Sequence, residues 1–133
     1  MGLDMYLTGE KFLVPDFQNR SIDLQEDGFR LRSRTLELGY WRKHPNLHGY
    51  IVQTFAGGKD ECQIICLEPN DIRTIIAAVK AGNLPYTTGP FFGSSDISPE
   101  CVANDIAILG KALDWLETEE SRVFRSVKYR ASW

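Results

Sequence analysis

The 133-residue sequence lacks an excess of basic residues and a long apolar run, and each absence excludes a class of protein. It has 15 Lys and Arg against 18 Asp and Glu, a net charge of −3. Non-specific nucleic-acid binding needs a basic surface, so we expect no nucleic-acid partner. No apolar run approaches the roughly 20 residues that cross a bilayer, and we expect no membrane partner and no signal peptide.

Motifs for metal binding and nucleophilic catalysis are also scarce. The cysteines number three, which leaves one unpaired in any disulfide scheme, and they match no common zinc spacing: Cys62, Cys66 and Cys101. We expect buried reduced thiols and a cytoplasmic protein. The sequence contains neither a GxSxG motif nor a phosphate-binding P-loop. We therefore predict no metal and no cofactor, and we assign no catalytic residue.

Hydrophobic periodicity predicts one α+β domain over residues 1–133, with a mainly antiparallel sheet of about four strands and three helices packed on one face. Strands are predicted over residues 3–8 (with a possible extension over 11–14), 35–41, 61–67 and 122–133. Helices are predicted over 45–55, from 68 to a stop at Gly82-Asn83, and over 99–117. The two terminal strands should meet in the sheet centre or close its edge. Residues 15–34 are predicted to be a surface excursion, with a short strand near 28–32.

The stretch from Leu36 to His48 concentrates the most chemistry. Two aromatic and two cationic side chains stand in a row where a strand ends, namely Tyr40, Trp41, Arg42 and Lys43. Arg can bind an anion with two hydrogen bonds, and the rings can stack on a planar group. The alternative is that the rings pack in the core and the cations are solvated.

The two histidines, His44 and His48, are four residues apart. Pro45 disfavours a helical conformation for His44, so we expect the two rings not to share a helix face. A metal site is therefore not predicted. One of the two histidines remains a candidate to donate to a ligand or to act as a general base.

A second candidate stretch is the loop before the third helix. Its glycines allow close backbone approach, and it contains Phe91, Phe92, Ser94, Ser95 and Asp96. The start of the helix at Ser98-Pro99 would favour an anion nearby. The alternative is an ordinary loop in which the two aromatic side chains fill the core.

Four motifs together resemble a family of small phage and prophage proteins. They are MGLDMYL at 1–7, GYWRK followed by Asn46 and His48, LPYTTGPFFGSSD at 84–96, and YRASW at 129–133. The resemblance extends over the whole chain, with departures at Pro90 and at His44-Pro45. It implies a phage origin more than a mechanism. By analogy, it implies an accessory protein that acts against host defences in the host-cell cytoplasm.

The leading hypothesis is a protein that binds a small anionic, nucleotide-like ligand without turnover. Arg42 and Lys43 would contact phosphate, and Trp41 or Phe92 would stack on a base. His48 and Ser94 would complete the polar contacts.

Two other hypotheses remain open. One is an interaction protein that docks on a host defence complex through residues 15–34 and exposed aromatic side chains. The other is a small phosphoesterase or transferase that uses His48 and Asp96. A homodimer, paired through the terminal strand as a sheet edge, is a further alternative.

Overall fold

The computed structural model describes residues 2–133; Met1, the first residue of the MGLDMYL motif, lies outside the described residues. Residues 2–133 form six strands and three α-helices. The strands are β1 (Asp4–Leu13), β2 (Gln25–Glu26), β3 (Phe29–Arg30), β4 (Ser33–Arg42), β5 (Ile65–Leu67) and β6 (Val123–Ser132). The helices are α1 (Pro45–Phe55), α2 (Pro69–Ala81) and α3 (Pro99–Glu117). This arrangement confirms the predicted α+β class.

Four strands form the main sheet in the order β4-β1-β6-β5, and every neighbouring pair is antiparallel. The two terminal strands are the central pair, with Leu7 opposite Tyr129, as the sequence predicted. Because β5 pairs with Val127–Tyr129 on the other side, β6 is an interior strand. The expectation that the terminal strand could be a sheet edge for a dimer is therefore wrong.

The helices cover one face of the sheet, and the core lies between them. Alternate residues of the central strands are buried there, including Met5, Leu7, Val127, Tyr129 and Ala131. In β4 the buried pair is Gly39 and Trp41, while Leu36 and Tyr40 are exposed. The β1–β4 register shifts between Leu7 and Thr8, so side chains do not alternate strictly along β4.

Local signals at the helix ends act as the sequence predicted. Glu68 and Asp71 form a capping box at the start of α2, and Gly82 ends that helix in the left-handed conformation with φ 69°. The Ser98 side chain accepts the backbone N–H of Cys101 at 3.3 Å and so begins α3.

Two segments differ from prediction. The strand expected over 61–67 spans only Ile65–Leu67. The excursion over 15–34 contains a 3₁₀ turn at Arg20–Ile22 and the β2–β3 hairpin, so the short strand expected near 28–32 is present at Phe29–Arg30. The expectation of buried thiols is wrong: Cys66 is exposed because its side chain lies on the open face of the sheet, and Cys62 and Cys101 are only partly buried.

The close approach of α3 to β4 depends on Gly39. A Cβ atom at Gly39 would lie 2.5 Å from Ile108 Cγ2, whereas one at Gly110 would meet nothing within 4 Å. Gly110 is therefore not a point of close packing. We predict that Gly39→Ala lowers the free energy of unfolding by about 1–3 kcal/mol through overpacking. Gly110→Ala should raise it by about 0.5–1 kcal/mol because Gly is a poor helix former. Urea unfolding measures both, and equal effects of the two substitutions would contradict this packing.

Candidate functional site

A cleft of about 400 Å³ opens where the end of β4, residues 94–96 and the first turns of α3 meet. It brings together the two stretches that the sequence predicted to be functional. Its lining residues are Tyr40, Trp41, Arg42, Lys43, His44, Ser94, Asp96, Cys101, Asn104 and Asp105. The cleft is therefore built from three separate parts of the chain.

Lys43 turns the chain sharply from β4 into α1. Its backbone has φ 54°, in the left-handed region that a residue with a side chain rarely adopts. Its N–H donates to the carbonyl oxygen of Leu3 at 2.8 Å, which holds the turn against the start of β1. This conformation places the Lys43 and His44 side chains on the cleft, and α1 begins at Pro45 immediately afterwards.

Asp105 is a buried carboxylate in the floor of the cleft, 4 % exposed. Its Oδ1 accepts the indole N–H of Trp41 at 2.9 Å, and its Oδ2 lies 2.7 Å from His44 Nε2. A buried carboxylate is costly unless donors satisfy it. Here the donors come from β4 and from the residue that precedes α1, so Asp105 ties both to α3.

Ser95 extends this network to the loop. Its Oγ lies 2.8 Å from His44 Nδ1 and accepts the backbone N–H of Asn46 at 3.0 Å. His44, the N-cap residue of α1, makes no side-chain capping bond. Ser95 therefore satisfies a free N–H in the first turn of α1 from outside the helix. A consistent proton assignment follows, in which Ser95 donates to Nδ1 and the Nε2–H of His44 donates to Asp105.

A second cavity, about 270 Å³ in volume, lies beside the same network. His44, Asp96 and Asp105 border both this cavity and the cleft. The remaining lining residues are mostly apolar, namely Asn46, Val79, Gly82, Leu84, Ile97 and Val102. The histidine and the two carboxylates thus separate a polar cleft from a mainly apolar cavity.

The two predicted cations differ in their partners. Arg42 donates to Asp4 Oδ1 at 3.0 Å, and Tyr40 donates to the same oxygen. The Tyr40 hydrogen bond, with help from Arg42, holds the pKa of Asp4 below its usual range. Lys43 takes part in none of the ion pairs formed among residues 2–133. Its ammonium group is the uncommitted positive charge at the cleft.

Asp96 has a local structural role. Its Oδ1 accepts the backbone N–H of Ser98 at 2.9 Å, just ahead of α3. This bond, with further hydrogen bonds from Cys101 and Ser98, holds the pKa of Asp96 below its usual range. Asp96 therefore stays ionised at neutral pH on the border between the two cavities.

Three predicted roles do not fit the structure. Trp41 and Phe92 are 6 % and 3 % exposed, so neither ring offers a face for a ligand to stack on. His48 is 2 % exposed, and its two ring nitrogens already bind Tyr129 Oη at 2.6 Å and Asp60 Oδ2 at 2.9 Å. His48 therefore cannot form the ligand contact or the catalytic pair with Asp96 that the sequence suggested. Its ring lies in an aromatic cluster with Phe92 and Trp133.

Of the other predicted residues, Phe91 is exposed, Ser94 lines the cleft and Ser95 bonds to His44. Sequence analysis missed His44 and Asp105 as site residues. A signal for Asp105 was present, since it lies three residues after Val102 and four before Leu109, on the apolar stripe of α3. A carboxylate on such a stripe requires buried donors.

Comparisons with known proteins returned no match to a family model, to a curated protein or to a solved structure. The geometry therefore carries the functional argument. Within residues 2–133, no group of three or more His, Cys, Asp or Glu side chains is arranged to hold a metal ion. In that same range no helix has the length and apolar character to cross a bilayer.

The His48 network makes a stability prediction. Burial raises the pKa of Tyr129 far above its usual value, with the Asp60 charge as a second cause, so Tyr129 keeps its proton, and its Oη lies 2.6 Å from His48 Nδ1. Tyr129→Phe leaves that buried nitrogen unpaired and should lower the free energy of unfolding by about 1–3 kcal/mol. Tyr86→Phe, at a ring that is 82 % exposed, should change it by less than about 0.5 kcal/mol. Equal urea midpoints for the two variants would contradict the network.

Proposed function

We propose that the protein binds a small anionic, nucleotide-like ligand in the cleft between β4 and residues 94–96. The observation that carries the proposal is the uncommitted ammonium group of Lys43. Its side-chain stem lies against backbone, because a Cβ at Gly93 would be 3.1 Å from Lys43 Cδ and one at Gly2 would be 3.3 Å from Cε. Two glycines thus give this cation room beside the cleft.

Arg42 supplies the second positive group. A guanidinium has five N–H donors, and the bond to Asp4 uses one of them. Its side chain is about half exposed, so the remaining donors are accessible to phosphate oxygens. A phosphate would share Arg42 with Asp4, and the affinity should fall with added salt.

Tyr40 takes the stacking role that burial denies to Trp41 and Phe92. Its ring is 42 % exposed and lies 5.3 Å from the Tyr6 ring, which supports it from the side. Ser94, Asp96 and Asn104 line the same cleft and can bind sugar hydroxyls or base N–H groups. None of these lining residues is an activated nucleophile, so they would bind a free ligand without altering it.

The biological setting belongs to the same proposal. The resemblance of the motifs to small phage and prophage proteins supports a phage origin and a place in the host-cell cytoplasm. A protein that holds a nucleotide-like signal without turnover would lower its free concentration. Such binding would counter a host defence that depends on that signal.

Lys43→Ala should weaken binding of the ligand, while Lys111→Ala should not. Lys111 is exposed on α3, and its substitution by Ala removes the same charge at a distance from the cleft. The measurement is thermal unfolding against a panel of mono-, di- and cyclic nucleotides, with the recovered ligand analysed for change. At 100 times Kd a bound ligand adds about 2.7 kcal/mol. No shift with any nucleotide, or equal shifts in both variants, would refute the proposal.

A second candidate function is favoured by an apolar patch at the opposite end of the sheet. Its members are exposed side chains of residues 14–29, namely Val14, Phe17, Ile22, Leu24 and Phe29. Phe17 and Phe29 are 80 % and 76 % exposed, which is unusual for rings in a folded chain. Such a patch fits docking on a host defence complex.

Phe17→Ser with Phe29→Ser should abolish stoichiometric co-purification of such a complex and leave nucleotide binding intact. Tyr86→Ser removes an equally exposed ring outside the patch and should have no effect on either readout. Retention of the complex by the double variant would exclude the patch as its docking site.

A further inference from the structure

Three side chains from distant parts of the sequence form one continuous hydrogen-bonded chain. Ser95 Oγ is 2.8 Å from His44 Nδ1, and His44 Nε2 is 2.7 Å from Asp105 Oδ2. The carboxylate is buried, the imidazole is slightly exposed and Ser95 is half-buried. This order of hydroxyl, imidazole and buried carboxylate is the one that activates a serine nucleophile, although here Nδ1 faces the hydroxyl and Nε2 the carboxylate, the reverse of the usual ring orientation.

We propose that Ser95, His44 and Asp105 hydrolyse carboxylic esters of the small anionic ligands that the cleft binds. Ser95 and His44 are the catalytic residues, and Asp105 is a positioning residue that acts through His44. The alcohol part of the ester is identified from the proposed function, whereas the assignment of Ser95 as the nucleophile does not depend on that function. A free ligand is held unchanged, and its acyl ester is cleaved.

The chemistry balances with water as the only co-reactant. Ser95 Oγ bonds to the ester carbonyl carbon while its proton passes to His44 Nδ1. The carbon–oxygen bond to the alcohol then breaks, and that oxygen takes the proton from Nδ1. Water attacks the acyl-serine, gives a proton to Nδ1 and displaces Oγ, which recovers its proton as the carboxylic acid leaves.

The surroundings of Ser95 match the two ends of such an ester. His44, Asp96 and Asp105 border both the polar cleft and the apolar cavity, and Ser95, which is in neither lining, reaches this border through its hydrogen bond to His44. The cavity of about 270 Å³ has Val79, Leu84 and Val102 in its lining and suits a short acyl chain. The phosphate-bearing alcohol would lie on the Lys43 side. The scissile bond then falls between the two.

The first turn of α1 supplies a donor for the charge that develops. The Asn46 N–H is 3.0 Å from Ser95 Oγ, at the positive end of the helix dipole. A carbonyl carbon bonded to Ser95 Oγ would hold its oxygen beside this N–H, which would have to release Oγ to donate to that oxygen. In the resting protein the same N–H is satisfied by Ser95, so the donor is already ordered.

Asp105 determines which nitrogen of His44 carries the proton. As a carboxylate it accepts from Nε2, so Nδ1 is left as the base that faces Ser95. In Asp105→Asn the amide oxygen can still accept from Trp41, but the amide NH₂ donates to Nε2. The proton of His44 then moves to Nδ1 and the base is lost, with little change in shape.

The test uses the full chain, p-nitrophenyl butyrate as the ester and a fluorophosphonate as a covalent label. The wild type should hydrolyse the ester and should gain one label at Ser95 by peptide mass spectrometry. Ser95→Ala should abolish both readouts. Asp105→Asn should lower the rate by about 10⁴-fold. Ser121→Ala, at an exposed serine of the α3–β6 turn, should match the wild type.

Labelling of the wild type decides the proposal even if Ser95→Ala fails to fold, because it needs no variant. No hydrolysis and no label at Ser95 would overturn the proposal, whether or not nucleotides raise the melting temperature. Hydrolysis that persists in folded Ser95→Ala would also overturn it. Labelling of Ser95 without any nucleotide-induced shift would uphold the nucleophile and refute only the proposed binding of nucleotides.

Discussion

The buried carboxylate of Asp105 is the constraint on which the cleft depends. Only 4 % of its surface is exposed, so its two oxygens must accept hydrogen bonds from the protein. Trp41 and His44 supply them, and the result fixes the end of β4 and the turn into α1 against α3. Removing either donor would leave part of a buried charge unsatisfied. The cleft therefore has a rigid floor, which is what a binding or catalytic site needs.

The two histidines hold α1 in place from opposite sides. His44, just before the helix, bonds outwards to Asp105 and Ser95, whereas His48, one turn later, bonds inwards to Tyr129 and Asp60. One network is at the edge of a cleft and the other is closed off in the core. The imidazole ring of His48 thus has a structural role, whereas the imidazole ring of His44 lies at an accessible position.

The sequence predicted the fold well because its signals are local. Pro45, Gly82 and Ser98 mark helix ends through their own backbone or side-chain preferences. The site was harder, since its hydrogen bonds join residues 44, 95 and 105, and no local pattern encodes that meeting. The sequence directed attention to residues 40–43 and 94–96. It placed His48 in the site and His44 outside it, whereas in the structure His44 lies at the cleft and His48 lies in the core. The burial of Trp41 follows from Gly39 and α3, which strand alternation alone does not show.

The protonation state of His44 tests the account most directly. Nitrogen NMR of the imidazole ring reports which nitrogen carries the proton, without any substitution or ligand. The account predicts one fixed tautomer of the neutral ring, with the proton on Nε2 facing Asp105 and an unprotonated Nδ1 facing Ser95. A ring that exchanges between tautomers, or one protonated on Nδ1, would contradict the hydrogen-bonded chain on which both the rigid floor and the nucleophile depend.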